Sequence, residues 1–79
     1  MASITIIAAV YASNNTGKDV TAVCNQLVSQ GNDDIPVNNT SFGDPDHGQR
    51  KYFTITFSVN NGPPQYMGAE EGTTLDLVP

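Results

Sequence analysis

Tryptophan is absent, cysteine occurs once, at Cys24, and cations occur three times, at Lys18, Arg50 and Lys51. Each scarcity removes a class of protein. One cysteine excludes a disulfide within the chain and any Cys/His metal set. Three cations against eight acids leave a formal net charge of -5, with no basic stripe to meet a phosphate backbone, so neither nucleic acid nor an anionic membrane is an expected partner. The apolar stretch SITIIAAVYA, Ser3 to Ala12, is too short for a membrane helix, which needs about 20 such residues. Met1 to Ala12 also lacks the basic start of a secretory leader, and its removal would delete a core strand. The lone thiol suits a cytoplasmic protein, or one released without a signal peptide.

The 79 residues make one domain, 1–79. A chain this short buries only about 60% of the surface that its unfolded form exposes, so self-association, as a dimer, is expected to supplement a thin core. Only 14% of residues are charged, while Asn, Thr, Ser and Gln are abundant. Such a surface suits neutral polar ligands better than ionic ones.

The firmest structural signal is Lys51 to Val59, KYFTITFSV. Phe53, Ile55, Phe57 and Val59 fall on every second position, with Tyr52, Thr54, Thr56 and Ser58 between them, the period of a strand with one buried face. Ile4 to Ala12 is apolar on both faces and reads as a central strand. In Asp19 to Gly31 the period changes. Val20, Val23, Cys24, Leu27 and Val28 share one helical stripe, with Asp19 as N-cap and Gly31 as the left-handed residue that ends it. Three Val lower helix propensity, so a strand and turn is the alternative there. Pro36 limits Ile35 to Val37 to an edge. Phe42, alone in the polar run before the long strand, reads as a plug into the core. Asn60-Asn61-Gly62 marks a reversal, and Gln65 to Ala69 and Thr73 to Val78 complete a three-stranded meander. The expected fold is mainly β, with α+β as the variant a helix would make: a small antiparallel sandwich or meander with one short helix.

The ordered set Tyr11, Asp19-Val20-Thr21, Leu27, Ile35-Pro36-Val37, Asn39, Phe42-Gly43-Asp44-Pro45, Gly48, Lys51, Glu71-Gly72 and Leu75-Asp76-Leu77 spans nearly the whole chain. It resembles a small domain of unknown function found at the C-terminus of a mitochondrial J-domain co-chaperone and in short stand-alone proteins of microbes and fungi. The chain departs from the co-chaperone in having no J-domain. The resemblance implies no chemistry that can be carried over residue by residue, and it favours an interaction module slightly.

The polar loop IPVNNTSFGDPDHG, Ile35 to Gly48, holds the candidate site. Asp44, Asp46 and His47 offer too few ligands for calcium unless Asp33, Asp34 or Asn39 folds in, and the simplest reading of Gly43 to Gly48 is a turn with Asp44 bonded to its own backbone. Cys24 and His47 are the one conceivable nucleophile and base, but a Cys24 on the apolar stripe is buried and inert. Glu70 and Glu71, adjacent in a turn, diverge and do not make a glycosidase pair. The chain is therefore expected not to be an enzyme, and no cofactor or metal is implied. Carbohydrate fits the composition best, because Asp and Asn accept and donate to hydroxyls while a ring covers the apolar face of a sugar. The expectation is a lectin-like module for a neutral glycan, using Asn38, Asn39, Asp44, Asp46 and His47, with Tyr52 or Tyr66 as the stacking ring. The alternatives are a protein-protein interaction module and a calcium-binding β domain. A sugar site requires a pocket where Asp, Asn and a ring converge, whereas a protein interface requires a flat apolar patch.

Overall fold

The computed structural model describes residues 3–78. Six strands and two helices follow in the order β1 (Ile4–Ala12), β2 (Gly17–Asp19), α1 (Thr21–Ser29), β3 (Asp34–Pro36), α2 (Asn39–Phe42), β4 (Tyr52–Val59), β5 (Gln65–Glu70) and β6 (Thr74–Asp76). They form two antiparallel sheets, one of four strands in the order β2-β1-β4-β5 and one of two strands, β3-β6. The fold is mainly β, as the alternation in β4 requires.

The core lies between the four-stranded sheet and a second layer made of α1, α2 and the β3-β6 pair. Phe53, Ile55 and Phe57 of β4 point inward, and Val20, Cys24, Ile35, Val37, Phe42, Leu75 and Leu77 close over them. Phe42 is the expected plug: its ring lies 5.1 Å from Tyr11 and 5.2 Å from Phe53 between centroids, a run of three stacked or tilted aromatics through the core.

Three features differ from the expected layout. In β1 the pairing with β4 slips between Ile6 and Ala8, a β-bulge that turns Ile6, Ala9 and Tyr11 into the core and leaves Ile7, Ala8 and Val10 exposed. Uninterrupted alternation through β1 would place Ile6 and Ala8 on one face. Second, β6 leaves the expected meander and pairs with β3, because Glu71-Gly72 turns the chain across to Val37, whose backbone bonds Gly72 and Thr73. Third, Asn39–Phe42 is a helical turn within the loop, capped by Asn38.

Helix α1 carries the predicted stripe and is followed by Gly31 at φ 84°. Asp19 bonds Thr21 at both its backbone N–H and its hydroxyl, but the cap position itself falls on Val20. β2 pairs only with Val10 to Ala12, so the rest of that β1 edge is open, and α1 closes it. Thr21 Oγ1 accepts from the Ala9 N–H at 3.0 Å, and Asn25 Oδ1 accepts from the Ile6 N–H at 3.2 Å while its Nδ2 donates to the Ile6 carbonyl at 3.4 Å. The helix thus supplies side-chain partners where a neighbouring strand would have supplied backbone ones. No helix of the described residues is long and apolar enough to cross a membrane.

Candidate functional site

Lys51 precedes β4 in the same phase as Phe53, Ile55 and Phe57, so its side chain enters the core side of the sheet and is 2% exposed. A lysine buried there requires partners. Its Nζ lies 2.6 Å from Asp44 Oδ1 and 3.9 Å from Glu71 Oε1. Glu71 also holds the main chain of Lys51: its Oε1 accepts from the Lys51 N–H at 3.0 Å, and its own N–H donates to the Lys51 carbonyl at 3.0 Å. One lysine therefore ties together the loop after α2, the start of β4 and the β5-β6 turn.

Asp44 is presented by Gly43, whose φ of 82° favours glycine and whose added Cβ would stand 2.9 Å from Lys18 Nζ. That amine donates to the Phe42 carbonyl at 2.7 Å, closing the end of α2. The Asp44 carboxyl is held below its ordinary range by the hydrogen bond from Lys51 above all, with smaller help from the Asp46 N–H and from His47. Oδ2 of Asp44 lies 3.3 Å from Nδ1 of His47, whose side chain is fully exposed. Beneath them the buried Tyr11 hydroxyl donates to Asn39 Oδ1 at 2.8 Å. Burial, and then the negative charges of Glu71 and Asp44, push the Tyr11 phenol up from its usual value, which keeps it a neutral donor.

Above this network is an open cleft of about 480 Å³. Asn39, Asp44, His47, Gln49, Arg50 and Glu71 line it, with Lys51 at its floor. Arg50 reaches Glu70 at 3.2 Å across the surface.

Of the residues expected to bind ligand, Asn39, Asp44 and His47 meet at this cleft. The others are elsewhere, for identifiable reasons. Asn38 is spent on helix capping, its Oδ1 accepting from the Ser41 N–H at 2.8 Å. Asp46 turns toward the β1-β2 connection, where its Oδ2 accepts from Ser13 Oγ at 2.7 Å and Asn15 Nδ2 at 3.3 Å. Tyr52 and Tyr66 project from the opposite face of the four-stranded sheet, so among the described residues no aromatic ring lines the cleft. Sequence reasoning missed Lys51, Glu71 and Tyr11 as site residues. The available signal was phase, since Lys51 continues the buried series of β4.

Asp33 and Asp34 do not fold toward the 43–48 loop. They gather instead with Asp76, their carboxylate oxygens within 4.8 Å of one another, and Asp34 lies directly opposite Asp76 in the β3-β6 ladder. Partial desolvation first, then the charges of Asp33 and Asp76, raise the Asp34 carboxyl above its usual value. Cys24 lies in the core on α1, away from the exposed His47, and burial pushes its thiol up to about 11. Glu70 and Glu71 diverge, one to Arg50 and the other to Lys51.

Comparison with protein-family models, with curated proteins and with solved structures finds no match to this chain.

Proposed function

We propose that the protein is a non-catalytic, lectin-like binding module whose cleft above Lys51 takes a neutral, hydroxyl-rich ligand, a glycan first among them. The observation that carries this reading is that the charges around the cleft are matched to one another. Lys51 is engaged by Asp44 and Glu71, Arg50 by Glu70, and His47 stands beside Asp44. An ionic ligand would have to break these pairs, whereas a sugar hydroxyl can accept from Arg50, Gln49 or the Asn39 amide and donate to the free lone pairs of Asp44. The cleft has the size of a small-molecule site, and apart from Gly48 and Gly72 its lining residues all carry polar or charged groups, which again suits a polyol.

The expected stacking contact has no counterpart here, so affinity would rest on hydrogen bonds and stay modest for a single site. Kinship with the co-chaperone C-terminal domain belongs to the same proposal. Its support is that Asn39, Asp44, Lys51 and Glu71, all among the residues that carry the resemblance, line one cleft, with Tyr11, another of them, bonded to Asn39 beneath it. The protein would work in the cytoplasm or after release without a leader.

A glycan array tests the function. Binding is expected for the intact protein, reduced by Gln49→Ala and Arg50→Ala, which alter exposed lining residues, and retained by Tyr66→Ala. An array with no specific binding, or binding indifferent to both cleft variants, removes the assignment.

A further inference from the structure

The four-stranded sheet has a second layer on one side only. Its other face presents Ile7, Val10, Tyr52 and Tyr66, which are 51%, 41%, 45% and 75% exposed, with Thr54 and Thr56 between the two tyrosines. The bulge in β1 adds to this face by turning Ile7 and Ala8 outward together. We infer that this face is the contact surface for a second copy of the chain, packed face to face as a reversible dimer.

The first argument is charge. The chain carries a net charge of -5, so two copies repel unless their acids are kept apart. Within the four strands, acids on this face stand only at its rim: Asp19, which is bonded to Thr21, and Glu70, which is paired with Arg50. Asp33, Asp34, Asp44, Asp46, Glu71 and Asp76 belong to the second layer and its loops. The middle of the face is wholly uncharged, which is the pattern of an interface core with a polar rim.

The second argument is area. The four strands hold 9, 8, 6 and 3 residues, and at about 3.3 Å per residue and about 4.8 Å per strand they give a face of about 400 Å². Two such faces bury about 800 Å² in total, short of a stable contact and within the range of weak, transient ones. A pair that dissociates on dilution follows. Because the cleft opens on the loops beyond the start of β4 and not on this face, pairing leaves both clefts accessible. The inference does not depend on what the cleft holds.

Sedimentation velocity over a dilution series tests it, with Val10→Asp and Tyr66→Asp made separately and their folding checked by circular dichroism. The intact chain is expected to be dimeric at high concentration and to dissociate on dilution. Either variant is expected to weaken the dimer by at least about tenfold, because each buries an unpaired charge at the contact. Tyr66 is so exposed that its variant tests the idea even if Val10→Asp does not fold. A chain that stays monomeric to about 1 mM, or a dimer that neither variant weakens, overturns the inference. So does a monomer that co-sediments with insoluble cellulose through Tyr52 and Tyr66, since the face would then serve a polysaccharide.

Discussion

The side-chain amine of Lys51 lies 2.6 Å from a carboxylate oxygen of Asp44 while only 2% exposed, so the loop that displays the candidate site is fastened to the sheet by a buried charge. Removing the amine leaves Asp44 and Glu71 facing each other without a cation. Lys51→Ala is expected to cost about 2–3 kcal/mol, less than for a fully enclosed pair because both acids retain some access to water. Lys51→Met, which keeps most of the apolar stem, is expected to cost less. Urea midpoints measured for both variants check this, and equal losses would show that packing of the stem does not matter.

Acid should act on the carboxylates in two opposite ways. Asp44, bonded by Lys51, and Asp19, bonded by Thr21, have folded values below the ordinary 3.8. The native state then holds fewer protons than the unfolded chain, so their stabilisation is complete above 3.8 and is lost as pH falls through the folded values. Asp34 has the reverse sign. Its folded value is raised by partial desolvation first and then by the charges of Asp33 and Asp76, so the cost of ionising it is complete above that value and is relieved as pH falls toward 3.8. Asp76→Asn is therefore expected to raise the melting temperature at neutral pH, with the gain vanishing below about pH 3. A gain of the same size at both ends of the pH range would exclude charge repulsion as its source.

The helix that closes the free edge of β1 gives a local test. Asn25→Ala removes both side-chain bonds to Ile6, at a cost of about 1 kcal/mol, and frees the Ile6 amide to exchange with solvent. Native-state hydrogen exchange should show faster exchange at Ile6 in this variant, with the amides of β4 changed only by the global loss of stability.

Cys24 should be silent in the folded protein. Its burial and raised thiol value predict that a thiol reagent labels it at the rate of unfolding, in step with added urea. Rapid labelling of the native chain would contradict its place in the core.

Much of the fold was legible because it rests on period. The alternation of Phe53, Ile55 and Phe57 defines β4, the five-residue stripe defines α1, and Phe42 stands out by polarity alone. What could not be read was set by long-range pairing. The bulge at Ile6 to Ala8 depends on how β1 meets β4, and the departure of β6 toward β3 depends on the backbone of Val37. The site was partly legible for a similar reason. Asn39, Asp44 and His47 share one loop and so stay together, whereas Lys51 and Glu71 come from other elements and Tyr11 from the opposite end of the chain. Asn38 and Asp46 show the limit of counting polar side chains, because a loop consumes some of its own Asn and Asp in holding its shape.

The closing of β1 by Thr21 and Asn25 also bears on how the protein fails. Fibril growth by strand addition needs two receptive margins, so that each arriving copy offers a new one. In the four-stranded sheet one margin is reduced to the three residues of β2 and a helix, which leaves β5 as the margin of that sheet able to accept a strand. Two molecules that join along β5 use up that margin together, so accretion through the four-stranded sheet halts at a pair instead of running on into a fibre.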